Sequence, residues 1–268
     1  MVTLCILATG ILLAVLGLVV GYIAIQGLPG LSWSFFTGTP RPIGEAGGGM
    51  AHAIAGSFIL IGLACLVGIP WGVLTGIFLA EMKRWRRLGT LVRFTADVLS
   101  GMPSITAGIF IYTSVVISMQ TFSALAGGLA LGIVMIPLVA RNTEEILRLV
   151  PASMREAALA LGLPYWRVVV SIVLPTAARG IGIGMTMALA GIAGDPVPLF
   201  FTALNNNYWS LDLRQPIASL PMEIFRYTAA PFAEWHTLAW AGALVLIAIS
   251  FTPMLLVRIF LPGYRIRR

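Results

Sequence analysis

The sequence is short of charge. Only 10% of its 268 residues are Asp, Glu, Lys or Arg, while 59% are apolar and the mean hydropathy is +0.96. A soluble domain carries roughly 25% charged residues, so a chain this long cannot cover a water-facing surface. A soluble fold is excluded, and intrinsic disorder and fibrous repeats with it. Cysteine is nearly missing as well. Cys5 and Cys65 lie far apart inside apolar runs, which excludes a disulfide framework and a cysteine metal site. His52 and His236 are too few and too isolated for a metal centre. Gly47, Gly48 and Gly49 stand together, but no Gly-Lys-Ser/Thr follows a strand signal, so the chain carries no nucleotide phosphate loop. Nor do the apolar runs hold a nucleophile–base pair or paired carboxylates, which leaves an enzyme the weakest reading. What remains is an integral membrane protein.

Its apolar runs are long enough to count. A crossing helix needs about 20 apolar residues, roughly 17–25 in practice. Residues 1–40 carry no charged side chain, and Gln26, Gly27, Pro29 and Gly30 close a first span near 4–26. That run is too long for the apolar part of a signal peptide and lacks its basic leader. Residues 46–80 hold a second span near 55–80, ending at Glu81. Residues 98–140 are uncharged, too many for one crossing and enough for two, and Gln120, Thr121 and Ser123 mark a hairpin between spans at 98–119 and 124–140. Spans at 176–201 and 237–260 complete an all-α bundle of six transmembrane helices in one transmembrane domain over residues 1–268.

The basic residues give the orientation. Fourteen of the 17 Lys and Arg fall between spans 2 and 3, around the loop between spans 4 and 5, or at the carboxyl end; only Arg41, Arg214 and Arg226 lie opposite. Basic residues in short loops stay cytoplasmic, so both termini are expected inside. The net charge of +7 is then a topology signal, and no nucleic acid is needed to explain it. Residues 203–235, with Trp209, Trp235 and several prolines, read as an interfacial segment on the other side.

The longest cytoplasmic loop, about 142–175, is the least lipid-like. Ser153 and Glu156 fit a capping box at a helix start. Gly162 suits the left-handed residue that ends a helix, Pro164 cannot continue it, and a second short helix is expected from Tyr165 to before Pro175. Two short helices about a glycine elbow make a knob. An ordinary interfacial hairpin would show the same signals.

Glu156-Ala157-Ala158, Gly162 and Leu174-Pro175 resemble the EAA loop of ABC importer permeases. Further runs, among them Gly76 to Glu81, Pro103-Ser104-Ile105, Leu199 to Ala203 and Gln215 to Ala218, resemble the PstA-type permeases of bacterial phosphate ABC importers, from about residue 40 onward. The resemblance implies the type I importer (MetI-like) architecture and a multi-pass place in the bacterial inner membrane. It implies that Glu156, Ala157, Ala158, Gly162, Leu174 and Pro175 form a coupling element for a cytoplasmic ATPase. It implies a second, PstC-type permease, two copies of a PstB-type ATPase and a periplasmic PstS-type phosphate-binding protein. No cofactor is expected in this chain, since ATP and Mg would be bound by the partner ATPase. Such relatives usually open with a basic stretch absent here, so a shortened amino terminus is expected.

A phosphate pathway needs compensating donors or cations, and few groups qualify. Arg141 and Glu144, three residues apart at the end of span 4, could pair locally. The resemblance implicates an Arg and a Glu at this spacing in phosphate transport, while snorkelling of Arg141 to the headgroups is the plainer reading. Asp97 fits an interfacial position. Asp195, in Gly191-Ile-Ala-Gly-Asp195-Pro196, falls inside span 5, where a carboxylate is costly unless paired. The glycines and Pro196 allow a helix break there, and Asp195 would orient a cation from this chain or a partner. PstA-type permeases usually have Arg where this chain has Gly191, and Glu where it has Asp195. Three readings follow: the partner permease supplies the cation, the solute is another oxyanion or small polar solute, or the chain is a transport-impaired subunit with a sensing role. The first is favoured, because Arg141 is kept.

Overall fold

The computed structural model describes residues 1–42, 47–82 and 85–260. Of the basic residues weighed above, Lys83, Arg84, Arg265, Arg267 and Arg268 lie outside the described residues. Among the described residues the elements are helical. Five helices are long and apolar enough to cross a membrane: Val2–Gly30 (α1), Ala51–Glu81 (α3), Ala124–Arg148 (α6), Tyr165–Ala193 (α8) and Ala233–Phe260 (α11). Arg86–Gly101 (α4) and Ser104–Met119 (α5) form a pair bent by 100°, which makes the sixth if taken as one broken span. Short helices cover Trp33–Thr37 (α2), Ala152–Ala160 (α7), Val197–Phe200 (α9) and Leu220–Ala229 (α10). The break after α4 falls where Gly101 and Pro103 flank Met102, whose extended backbone cannot continue a helix.

The core is the parallel pair of α3 and α6. Three glycines four residues apart on α3 lie against α6. A methyl group on Gly68, Gly72 or Gly76 would come within 2.7, 2.6 or 2.5 Å of the Cβ of Met135, Val139 or Thr143. Small residues at this spacing let two helix backbones meet, which is how helices gain contact in a solvent that offers no hydrophobic drive between them. Leu60, Ala64, Leu131, Met135 and Val139 then form one buried cluster with Ala188 and Ile192 of α8. By contrast, α1 is apolar all round and exposed along its length, and it touches α11 chiefly through its last turn, where Gly27 and Gly30 meet Trp240 and Thr237. A helix with no polar face fits a lipid environment.

At the end of the bundle where α6 begins, the chain closes over itself. The Ser123 hydroxyl accepts from Ala126 N–H at 3.1 Å, and the next free helix donors, Ala124 and Leu125 N–H, go to the carbonyls of Gln215 and Leu213. The first turn of a helix leaves such donors unsatisfied, and here the 203–219 segment supplies the acceptors. The hairpin expected at Gln120 to Ser123 is present, with Gln120 in the left-handed conformation (φ 55°).

Candidate functional site

At the other end of the pair, two ion-pair rungs join α4 to α6. Arg93 approaches Glu144 through Nη2 at 2.6 Å and Nε at 3.2 Å, both to Oε1. Arg148 reaches the same oxygen at 2.6 Å, one helical turn on from Glu144. The second rung reverses the charges: Arg141 meets Asp97 at 3.2 Å. The local Arg141–Glu144 pair that spacing suggested is therefore not formed. Both residues turn to α4 instead, because the (i, i+4) neighbours Arg93 and Asp97 present opposite charges at matching heights. Burial differs between the rungs. The Glu144 side chain is 7% exposed, whereas Arg141 and Asp97 are 52% and 42% exposed. Asn142, beside them, donates to the Gly184 carbonyl of α8 at 3.2 Å.

Asp195 stands apart from these groups. Helix α8 ends at Ala193, so Asp195 follows the helix rather than interrupting it, and its Oδ1 accepts from Val197 N–H at 2.9 Å in an Asx-type turn ahead of α9. Asn142 meets α8 at Gly184, and Asp195 lies eleven residues further along, roughly 16 Å at helical rise. Arg141 and Glu144 share one end of the bundle, and Asp195 belongs to the other. Among the described residues no cation pairs with Asp195; its ordering work is done by a backbone donor. Gly191 faces open space, with nothing within 4 Å of where a side chain would begin.

Between α6 and α8 the knob takes shape. Helix α7 starts at Ala152 with Pro151 at its cap, and no side chain caps it. The Ser153–Glu156 capping box is thus not formed, because Pro151 starts the helix early and lacks the donor that would need capping. Gly162 takes φ 81°, a value that disfavours any side chain, and the chain turns there as expected. Tyr165 begins the next helix, which does not stop before Pro175. It passes through a π-helical turn at Val169–Val173 and runs on to Ala193, with Leu174 and Pro175 inside it. Pro175 is accommodated because the wide turn ahead of it frees the carbonyls that proline cannot bond.

Sequence reading missed what fastens this knob. Glu81, at the last turn of α3, is buried and accepts from Arg155 at 2.7 Å and from the Tyr165 hydroxyl at 2.6 Å. Arg155 also donates to the carbonyls of Val150 and Leu147, closing the end of α6. One arginine therefore joins α3, α6 and α7. Ala158 is buried against Leu147, Val168 and Val173, while Glu156, Ala157 and Gly162 face outward. Around them Leu159, Leu161 and Trp166 are 42%, 83% and 65% exposed. Exposed apolar side chains grouped on a polar knob mark a surface built to be covered.

A second polar cluster, also unforeseen, lies at the far end. Glu223 of α10 is fully buried and meets Arg226 at 2.7 Å, Asn205 at 2.9 Å and His52 of α3 at 3.4 Å. Arg226 continues to Asn207 at 2.6 Å. Ser57 accepts from Leu220 N–H at 2.8 Å, so α3 holds both the 203–219 segment and α10. Tyr227 stacks on Trp235 at 4.7 Å, and burial, with the nearby Glu223 carboxylate, pushes its phenol above the ordinary range, so it stays neutral.

The chain matches the family model described as "Binding-protein-dependent transport system inner membrane component" over residues 72–266. It is 48% identical over 221 residues to the phosphate transport system permease protein PstA of Yersinia pestis, covering 82% of this chain and 75% of that protein. To PstA of Haemophilus influenzae it is 42% identical over 236 residues, with 88% and 83% covered. Among solved structures, the inward-facing MetNI methionine ABC transporter superposes with a TM-score of 0.59 at 19% identity, over 77% of this chain and 92% of that one. An amino acid ABC transporter gives 0.58 at 16% identity, over 78% and 90%. Those two likenesses are of fold.

Proposed function

The chain belongs to the binding-protein-dependent transport system inner membrane components, among the PstA phosphate permeases, and on that premise we propose how it works. It is an inner-membrane subunit of an ABC importer, not itself catalytic, and residues 1–268 act as one transmembrane permease domain. It forms half of a phosphate pathway with a PstC-type permease. Two PstB-type ATPases bind ATP and Mg and drive it, and a PstS-type protein delivers phosphate from outside. Both termini and the knob are cytoplasmic.

The observation that carries this reading is the knob itself. Its exposed Leu159, Leu161 and Trp166 offer an apolar face to a partner, while Arg155 and Tyr165 bind its base to Glu81 of α3. A load applied at Glu156, Ala157, Ala158 or Gly162 passes through that clasp into α3. Through Leu174 and Pro175, within the same continuous helix, it also passes into α8. Rocking α3 and α6 moves the two charged rungs.

Phosphate carries between one and two negative charges at neutral pH, so it needs donors that are not already neutralised. Arg141 supplies them. Half-exposed and held by one equally exposed carboxylate at 3.2 Å, it can exchange Asp97 for a passing anion at small cost. Glu144 is shared by two arginines and keeps their charge in check beside the path. Asp195 shapes the pathway at the far end by holding the turn into α9, and the partner permease supplies the cation that Gly191 does not. The test is ATP-driven phosphate uptake into vesicles by the assembled complex. Uptake that needs this chain and stops without ATP is expected. A chain dispensable for uptake overturns the reading.

A further inference from the structure

Beside the Arg93–Glu144 rung, α3, α4 and the end of α6 line a cavity of about 610 Å3 that the transport reading does not use. Its lining includes the apolar Phe78, Met82 and Trp85 and the cationic Arg86, Arg93 and Arg148. The charges do not balance. Arg93 and Arg148 converge on a single oxygen of Glu144, and a guanidinium has five donors to spend. Arg86 has no side-chain partner among the described residues. Three cations therefore face one carboxylate.

The setting is the edge of a membrane. Helix α3 ends at Glu81, and Met82 and Trp85 just beyond it are 54% and 59% exposed. Tryptophan at the end of an apolar span settles at headgroup level. Helix α4, which contributes Arg86 and Arg93, leaves Leu91, Phe94 and Val98 exposed on another face, at 60%, 65% and 54%. An amphipathic helix of this kind lies along the interface. A cavity that is partly apolar and short of negative charge fits an anionic amphiphile.

We propose that this cavity binds a phosphate group at the membrane surface, held by Arg86 with the spare donors of Arg93 and Arg148. Two sources share that chemistry: the headgroup of an anionic phospholipid, whose acyl chains would run along Phe78 and Met82, and free inorganic phosphate. The site is separate from the proposed pathway cation, Arg141, which does not line it.

The test uses the assembled transporter, delipidated in detergent. One arm adds phosphatidylglycerol or phosphatidylcholine and counts retained lipid by native mass spectrometry. A second measures binding of radiolabelled inorganic phosphate without lipid. Each arm is run on wild type, Arg86→Gln and Gly89→Leu. Gly89 lines the cavity and has open space at its Cβ, so leucine there obstructs the cavity and leaves every charge in place. The expected result is selective retention of phosphatidylglycerol, weakened about tenfold by either variant. Inorganic phosphate bound in the second arm and lost in both variants would also support the site and identify a soluble source. Binding of both lipids alike in all three proteins, with no inorganic phosphate bound, overturns the proposal. If Arg86→Gln does not assemble, Gly89→Leu decides alone.

Discussion

The two ends of the α3–α6 pair handle charge in opposite ways. At the knob end, Arg141 and Asp97 are half open to their surroundings and, among the described residues, form an ion pair only with each other. At the far end, Glu223 is fully buried under His52, Asn205 and Arg226. A half-exposed pair contributes little to stability, while removing one member of a buried cluster leaves its partners charged and unsatisfied. The first end is suited to trading partners and the second to holding a shape. The open Arg141–Asp97 pair is the exception at its own end too, where Glu144 and Glu81 are buried under arginines.

That division can be tested by mutation. Glu223→Ala should be the most damaging change, lowering the stability of the assembled complex by about 3–5 kcal/mol in denaturant or thermal unfolding. A loss below about 1 kcal/mol would mean the far cluster is not structural. Arg141→Gln should do the reverse. Uptake should fall by about a hundredfold, as expected when a charged contact to the moving anion is lost, while stability shifts by no more than about 1 kcal/mol. A variant that unfolds, or one that still transports, would erase the distinction between the ends. Glu156→Lys, on the outward face of α7, should leave ATP hydrolysis running and cut the phosphate moved per ATP by about tenfold, a loss on the order of 1.4 kcal/mol in coupling. Unaltered stoichiometry would separate the knob from the ATPase. The mildest change is Gly191→Arg. Nothing lies within 4 Å of where its side chain would begin, so assembly should be intact and uptake altered by only a few-fold if a partner cation already serves the path. A large gain would show instead that the missing arginine limits transport.

Local signals were legible in the sequence. The apolar runs located the long helices, though 98–119 is bent by 100° between Gly101 and Ser104 and the fifth helix begins at Tyr165 rather than 176. Gln120 to Ser123 marked the hairpin and Gly162 the elbow, because each depends on residues within a few positions of itself. Long-range pairs were not. Arg93 meets Glu144 across 51 residues, and Arg155 meets Glu81 across 74. Periodicity carries no information about which charge on another helix stands opposite. The one pairing that spacing suggested, Arg141 with Glu144, lost to partners on α4. A signal for α4 was available: its arginines and its leucines fall on different faces of residues 86–101, the pattern of an interfacial helix. The Ser153 capping box failed for a different reason, since a proline two residues earlier had already set the helix start. For Asp195, counting hydropathy placed it within a span, whereas Gly194 and Pro196 end the helix before it.

The glycine seam between α3 and α6 limits what any cycle of shape change can involve. Backbones that touch through three missing side chains have no rotamers to flip and little room to slide, so the two helices form a single girder. Flexing must be taken up at softer joints, such as the corner at Met102–Pro103 and the widened turn ahead of Leu174. Seen this way, the molecule is a stiff beam with hinges beside it, and its stroke length is set by the hinges.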